Sequence, residues 1–431
     1  MAAHTVRFPD DFRWGTATSA YQVEGNNTAS DWWDWEQQPG RIRNGDRSGL
    51  ACDWWRHAEW DFDRMVGLHQ NAARLSVEWS RLEPREGAWD TSAEVRYLEM
   101  LRALRERGIE PLVTLNHFTL PRWVAERGGW LWDGIVPAFA AYTGRFVRAA
   151  AGASFGGRPL VDFWVTLNEP VGHLISAYFL GRFAPGRTSL WDLARALVRS
   201  VRAHAAAYHA IHRAQPEARV GLAAYLRPAQ PANPRSPLDR WLAGRLDEAT
   251  NWMYLNALVT GRLTTPLGVS VRIPHAAGTM DYIGVNYYTR SRAAFDLRRP
   301  RHLFIRDEPA PGAVVSDGGY SEIYPEGLLA VLRRVRDYGL PVYVTENGLP
   351  DADDDLRPGF IVEHLRRVHQ AIAEGCPVRG YYHWSLVDNF EWADGWSLRF
   401  GLYALDPATQ VRTARPSAAL YGEICRRNAL V

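Results

Sequence analysis

The feature that most constrains the fold is an alternation that runs the length of the chain. Short apolar runs at 12–18, 72–78, 111–118, 161–168, 219–225, 282–287, 342–346 and 380–386 alternate with longer stretches at 54–68, 93–107, 133–150, 190–215, 238–260, 325–338, 360–374 and 417–426. The short runs are nearly continuous in aliphatic or aromatic residues, as parallel strands covered on both faces are. Among the long ones, 93–107 repeats Val95, Leu98, Leu101 and Leu104 at helical spacing. Eight such alternations predict an α/β fold, a single-domain (β/α)8 TIM barrel over 1–431 with its site at the carboxyl ends of the strands. A doubly wound open sheet is the alternative, and no glycine-rich phosphate turn follows the first run to support it. The connections 227–237, with four prolines, and 291–319 read as loops over the rim. No linker divides the chain.

Composition narrows the function classes. Fifty basic residues against 48 acidic ones leave a net charge of +2 in 431 residues, without a basic run, so neither nucleic acid nor an anionic membrane is an expected partner. Lysine is absent, so every basic side chain is Arg, which reads first as genomic base-composition bias. Cys52, Cys376 and Cys425 are scattered and lack ligand spacing, which predicts reduced thiols in a cytoplasmic protein. Residues 1–9 hold no apolar leader, Phe8 and Phe12 read as part of the first structural unit, and no run of about eighteen apolar residues exists to span a bilayer. Neither metal nor organic cofactor is expected. The protein is expected to be a monomer or homo-oligomer.

Two phrases carry the chemistry: Thr166-Leu-Asn-Glu-Pro170 and Thr345-Glu-Asn-Gly348. Each ends a strand-like run and breaks at once into Pro or Gly, which puts Glu169 and Glu346 at strand ends above one cleft. A single glutamate there is more often an ion-pair partner. Two presented together suit glycosidic cleavage, where one carboxyl holds a proton for the leaving group and the other stays ionised. Asn168 can donate its amide to a sugar hydroxyl.

These phrases, with Phe12-Arg-Trp-Gly-Thr-Ala-Thr-Ser-Ala-Tyr-Gln-Val-Glu-Gly25 and Trp384-Ser-Leu-Val-Asp-Asn-Phe-Glu-Trp392, make the chain resemble the family 1 glycoside hydrolases, the β-glucosidase family, from about Phe8 to Ser417. The resemblance implies a retaining β-glycosidase acting on small-molecule or oligosaccharide β-glycosides. Glu346 is then the nucleophile and Glu169 the acid/base, with carboxyls roughly 5–5.5 Å apart. It also implies that Arg74 and Tyr288 hold the nucleophile, with Asn286 orienting the same carboxylate. Gln22, His117, Asn168, Trp384, Glu391, Trp392 and Phe400 match the sugar-binding set. Taken alone, Arg74 reads equally as a structural ion pair, His117 and Gln22 as scaffold, and Trp384 and Phe400 as core. Glu391 between two aromatics suits a carboxylate gripping sugar hydroxyls, and as a negative charge it disfavours a sugar phosphate. Glucosides are expected first, with galactosides and fucosides as further substrates and transglycosylation where a sugar replaces water. A catalytically silent carbohydrate-binding relative is the alternative.

Departures from the family pattern surround the site. Phe118-Thr119 stands where Trp-Asp is usual, which keeps an apolar wall but gives up an indole N–H contact to the sugar's O3; Val171 and Tyr320 stand where Trp is frequent. With His173, Val171 and Tyr320 define an aglycone region that the resemblance does not describe, and the small Val171 predicts a widened entrance on the leaving-group side.

Overall fold

The computed structural model describes residues 6–430. Eight parallel strands close into a barrel: β1 (Arg13–Ala17), β2 (Ala72–Ser76), β3 (Glu110–Asn116), β4 (Phe163–Asn168), β5 (Arg219–Tyr225), β6 (Tyr282–Tyr287), β7 (Val342–Asn347) and β8 (Val378–Trp384). They are neighbours in chain order, and β8 pairs with β1 to close the ring. Each predicted run overlaps one of these strands, and β3, β7 and β8 extend one or two residues beyond theirs. The helices are α1 (Trp54–Gly67), α2 (Thr91–Glu106), α3 (Ile135–Gly152), α4 (Leu190–Ala214), α5 (Met253–Thr260), α6 (Pro325–Val335), α7 (Arg357–Ala373) and α8 (Pro416–Arg427). The barrel is therefore the expected (β/α)8 fold. The predicted single-domain span also takes in residues 1–5 and 431, which lie outside the described residues, as do the first five residues of the predicted leaderless start.

Phe8 and Phe12 are buried against Trp14, with ring centroids 4.8 and 4.7 Å away, so they do belong to the first structural unit. Cys52, Cys376 and Cys425 are free and buried. No helix among the described residues is long and apolar enough to cross a membrane.

Local chemistry sets the element ends. Helix α2 begins at Thr91 because the Asp90 carboxylate accepts from the Ser92 and Ala93 amides at 2.9 and 3.0 Å. Its buried face keeps Leu101 and Leu104 of the predicted stripe, with Leu98 half-buried against the core, but Val95 is 52% exposed and Tyr97 and Met100 complete the inward face. Tyr97 sets that face, since its hydroxyl donates to Glu24 and accepts from the Glu78 amide. The predicted helix 238–260 is broken. A helix over Pro237–Asp247 runs into a π-helical segment, Glu248–Trp252, before α5. The bulge turns Asn251 toward the end of β5, where its side chain accepts from the Arg227 amide at 2.8 Å and donates to the Arg227 carbonyl at 2.9 Å. The two predicted rim loops are partly ordered. Ala229–Pro231, Ser291–Phe295 and Ile305–Asp307 pair into a three-stranded sheet that extends the mouth. Pairing between segments distant in sequence overrides their proline and glycine content.

The lower barrel is filled by Leu112, Phe163, Val165, Tyr282, Tyr343 and Tyr382. Gly221 is sterically required there, because a Cβ would stand 2.6 Å from the Tyr282 carbonyl oxygen and 2.8 Å from its ring. Above β8, residues 385–402 form a long connection tied down by one buried ion pair. Arg415, at the entry to α8, grips Asp388 through two hydrogen bonds of 2.9 Å, and Asp388 also accepts from the Gly401 amide at 2.8 Å. Arg415→Ala leaves Asp388 buried without its cation. It is expected to cost about 3–5 kcal/mol, seen as a lower midpoint of thermal unfolding; an unchanged midpoint would show that the pair does not anchor this connection.

Candidate active site

The carboxyl ends of the strands enclose a cavity of about 700 Å³. Three local irregularities aim side chains into it. The parallel register shifts between Val165 and Asn168 on β4, between Val285 and Asn286 on β6, and between Val344 and Asn347 on β7. Each shift re-aims the residues that end the strand. Glu169 then takes a left-handed conformation (φ 45°, ψ 49°) as N-cap of the helix Pro170–Tyr178, whose first residue is proline. Strand, left-handed residue and proline together swing the Glu169 carboxyl over the barrel mouth. A non-glycine residue in that region costs on the order of 1 kcal/mol, strain of the kind found where a side chain must be held in one place.

Arg74, fully buried on β2, is the hub. Its Nε donates to Thr114 Oγ1 at 3.2 Å and Nη2 to Asn168 Oδ1 at 2.6 Å. Nη1 donates to the Thr345 carbonyl at 3.3 Å and makes a short ion pair with Glu346 Oε1. The other oxygen of Glu346 accepts from the Tyr288 hydroxyl at 2.6 Å. Asn286 bridges the two carboxyls' surroundings. Its Nδ2 donates to Glu169 Oε1 at 2.8 Å and to Asn168 Oδ1 at 3.1 Å, while its Oδ1 accepts from Thr345 Oγ1 at 2.7 Å.

This network separates the two glutamates electrostatically. Burial raises Glu169 to about 8, and the charge of Glu346 adds to that effect, against weaker help from Asn286 and Arg74. Burial also pushes Glu346 up, but the Arg74 guanidinium, the Tyr288 hydroxyl and Asn286 pull it back. The proton of the pair therefore resides on Glu169 and the charge on Glu346. Glu391 is a third buried carboxyl. Burial and the charge of Glu346 raise it to about 8, although Trp384 Nε1 donates to it at 3.1 Å.

The remaining predicted residues gather around this centre, with one exception. His117, Asn168, Trp384, Trp392 and Phe400 line the cavity. Asn168 Oδ1 accepts from Arg74 and Asn286, so its Nδ2 is the donor toward His117 Nε2 at 3.0 Å. His117 is neutral, driven well below its ordinary value by burial and by Arg74. Its proton is thus on Nδ1, a buried donor with no protein partner. Trp392 (φ 51°) stacks on Tyr21 at 5.7 Å and meets Phe118 at 4.9 Å. Phe400 packs edge-on against Tyr288 and Tyr320. Gln22 is the exception. Fully buried, it accepts from Ser19 at 2.7 Å and donates to Asn389 and to the Phe390 carbonyl at 2.8 and 2.9 Å, behind the wall rather than in it.

Val171, His173 and Tyr320, the residues expected around the aglycone, also line the cavity, as does Phe118. His173 stacks on Phe118 at 4.9 Å, and burial holds it neutral, near 3. Sequence reasoning missed Thr114, Thr345 and Tyr225. Tyr225 ends β5, lines the cavity and stands 5.9 Å from Tyr288. Its strand-end position was a usable signal; Thr114 and Thr345 are ordinary strand residues until Arg74 and Asn286 are seen beside them.

Comparison with known proteins agrees with this geometry. Residues 4–430 match the model of glycosyl hydrolase family 1. The chain is similar to beta-glucosidase A of Thermotoga maritima, 31% identical with 98% of this chain and 99% of that protein covered. It is also similar to a beta-galactosidase of Saccharolobus solfataricus, 32% identical over 98% of this chain and 96% of the other. Among solved structures, a beta-glycosidase from Pyrococcus horikoshii superposes with a TM-score of 0.90 at 36% identity, covering 99% of this chain and 96% of that one.

The separation of the two glutamates has a direct test. Removing the charge with Glu346→Gln should lower the titration midpoint of Glu169 from about 8 while burial keeps it above its ordinary 4.5. The carboxyl carbon shift of Glu169, followed by NMR across pH, reads this; an unmoved midpoint would mean that burial alone sets it.

Proposed function

The chain belongs to glycosyl hydrolase family 1, an O-glycoside hydrolase family, and from that premise we propose a retaining β-glycosidase acting first on unphosphorylated β-D-glucosides. The observation that carries this reading is the asymmetry of the glutamates. Glu346 is held by a cation and a phenol, while Glu169 has only the Asn286 amide on its carboxyl, and burial with the nearby charge of Glu346 raises it to about 8.

Glu346 attacks the anomeric carbon as Glu169 protonates the departing oxygen, which gives a covalent glycosyl-enzyme. Esterification removes the negative charge that had raised Glu169. Glu169 can then ionise and take the proton of an incoming water, which releases the sugar with its configuration retained. A sugar hydroxyl in place of water gives transglycosylation. Arg74, Tyr288 and Asn286 act on the carboxyls. His117 Nδ1, Asn168 and Glu391 face sugar hydroxyls, and Trp384 and Trp392 offer ring faces to the sugar's C–H side. Phe400 walls the same end. Gln22 positions the 389–391 backbone from behind. β-Galactosides and β-fucosides are further substrates in this reading, because Glu391 as acid or carboxylate serves either epimer. We assign one catalytic barrel domain to 1–431, and a cytoplasmic setting is supported by the three buried free thiols.

Two experiments test this reading. Incubation with an activated 2-deoxy-2-fluoro-β-glucoside should add one sugar mass to the peptide that contains Glu346, since fluorine slows both steps while the good leaving group lets the first outrun the second. No adduct with either the glucosyl or the galactosyl reagent would sink the proposal. Separately, Val171→Trp should narrow the range of aryl and alkyl leaving groups accepted, because Val171 lies on the cavity wall beside Gly172 and His173; an unchanged kcat/KM profile across several β-glucosides would contradict that role.

A further inference from the structure

Beyond Val171 and Tyr320 the cavity wall is built from four barrel connections, and each supplies a guanidinium. Arg43 follows β1, Arg182 follows β4, Arg227 follows β5 and Arg299 follows β6. Two carboxylates stand among them. Asp394 pairs with Arg43 at 3.1 Å and lies 4.0 Å from Arg182. Asp307 pairs with Arg227 at 2.9 Å. The carboxylate nearest Arg299 in sequence, Asp296, is engaged by Arg298 at 2.9 Å and Arg306 at 3.9 Å. Four cations against two anions leave the mouth positive, in a chain whose whole net charge is only +2.

Apolar surface lies between the charges. Phe179 and Leu180, just before Arg182 in the chain, and Ile305, two residues before Asp307, also line the cavity. A concave site with low-dielectric walls focuses the field of uncompensated charges. Guanidinium is also the group best matched to a carboxylate, through two parallel N–H···O bonds. Arg43 and Arg227 are already held by Asp394 and Asp307. Arg299 makes no ion pair among the described residues, and Arg182 has only the Asp394 carboxylate that Arg43 already holds, at the long distance of 4.0 Å; these two are the least compensated cations of the four.

This inference rests on the glycosidase reading of the deeper site. We propose that the mouth selects β-glycosides whose leaving group is an aromatic carboxylate, its ring on the apolar wall and its acid group on Arg299 and Arg182. The outer charges attract the intact glycoside and hold the aglycone while Glu169 protonates its oxygen.

The test is equilibrium binding of two non-hydrolysable probes, phenyl 1-thio-β-D-glucoside and its 4-carboxyphenyl counterpart, by calorimetry on the full chain. The carboxylated probe should bind about fivefold more tightly at low salt, the scale of one partly solvated ion pair. That advantage should shrink as salt rises past about 0.1 M, where the screening length falls to roughly 10 Å. Arg299→Gln should reduce the ratio of the two affinities, and Arg182→Gln provides an independent variant should the first fail to fold. Equal or weaker binding of the carboxylated probe by the natural protein overturns the proposal, as does a ratio that neither salt nor either variant moves. Turnover of phenyl β-glucoside is measured alongside. Carboxylate preference without turnover leaves the mouth's selectivity standing and removes the hydrolase reading, while turnover without preference does the reverse.

Discussion

The site depends on one buried cation. Arg74 has no exposed surface, and a guanidinium taken out of water costs several kcal/mol unless its surroundings are charged and well hydrogen-bonded. Here those surroundings come from four strands: Thr114 on β3, Asn168 on β4, Asn286 on β6, and Thr345 with Glu346 on β7. Compensation of Arg74 requires Glu346 to be ionised. An ionised Glu346 then makes a second negative charge on Glu169 unfavourable, with burial acting in the same direction. The opposite tendencies of Glu169 and Glu346 thus come from a single structural demand.

The geometry that meets this demand is local and irregular. Bulges at the ends of β4, β6 and β7 and left-handed backbone at Phe118, Glu169 and Trp392 lie around the mouth. The barrel below is regular and close-packed, with Gly221 against Tyr282 and aromatic rings filling the interior. Strained conformations persist only where the surrounding structure over-determines them, and the packed lower barrel with the Asp388–Arg415 tie supplies that support.

The outer mouth of the cavity is built differently. Its wall residues come from connections rather than strand ends, and the three-stranded sheet of Ala229–Pro231, Ser291–Phe295 and Ile305–Asp307 gives it a rigid edge. Charge there is arranged between loops distant in sequence, as in Arg43 with Asp394. Cavity composition therefore changes along its depth, from buried carboxyls in the floor to arginines at the mouth.

The barrel and the placement of Glu169 and Glu346 at strand ends were legible in the sequence, because burial periodicity and strand-ending Pro and Gly are local properties; Arg74, Tyr288 and Asn286 were singled out only by the family resemblance, and the structure brings them into contact with the two carboxyls. Other features needed the tertiary structure. The inward face of α2 was decided by Tyr97 reaching Glu24 on another element, which outweighed the nominal stripe through Val95. The partners of Gln22, Asn389 and the Phe390 carbonyl, lie far away in the chain, and only folding sets its amide beside Glu391. The proton on His117 Nδ1 follows from Arg74 and Asn286 claiming Asn168 Oδ1, a three-dimensional accounting of donors that spacing does not contain. The sequence by itself determined which residues could do the chemistry. Folding decided which of them hold a charge, which hold a proton and which are spent on holding others, because those states depend on burial and on partners from distant strands.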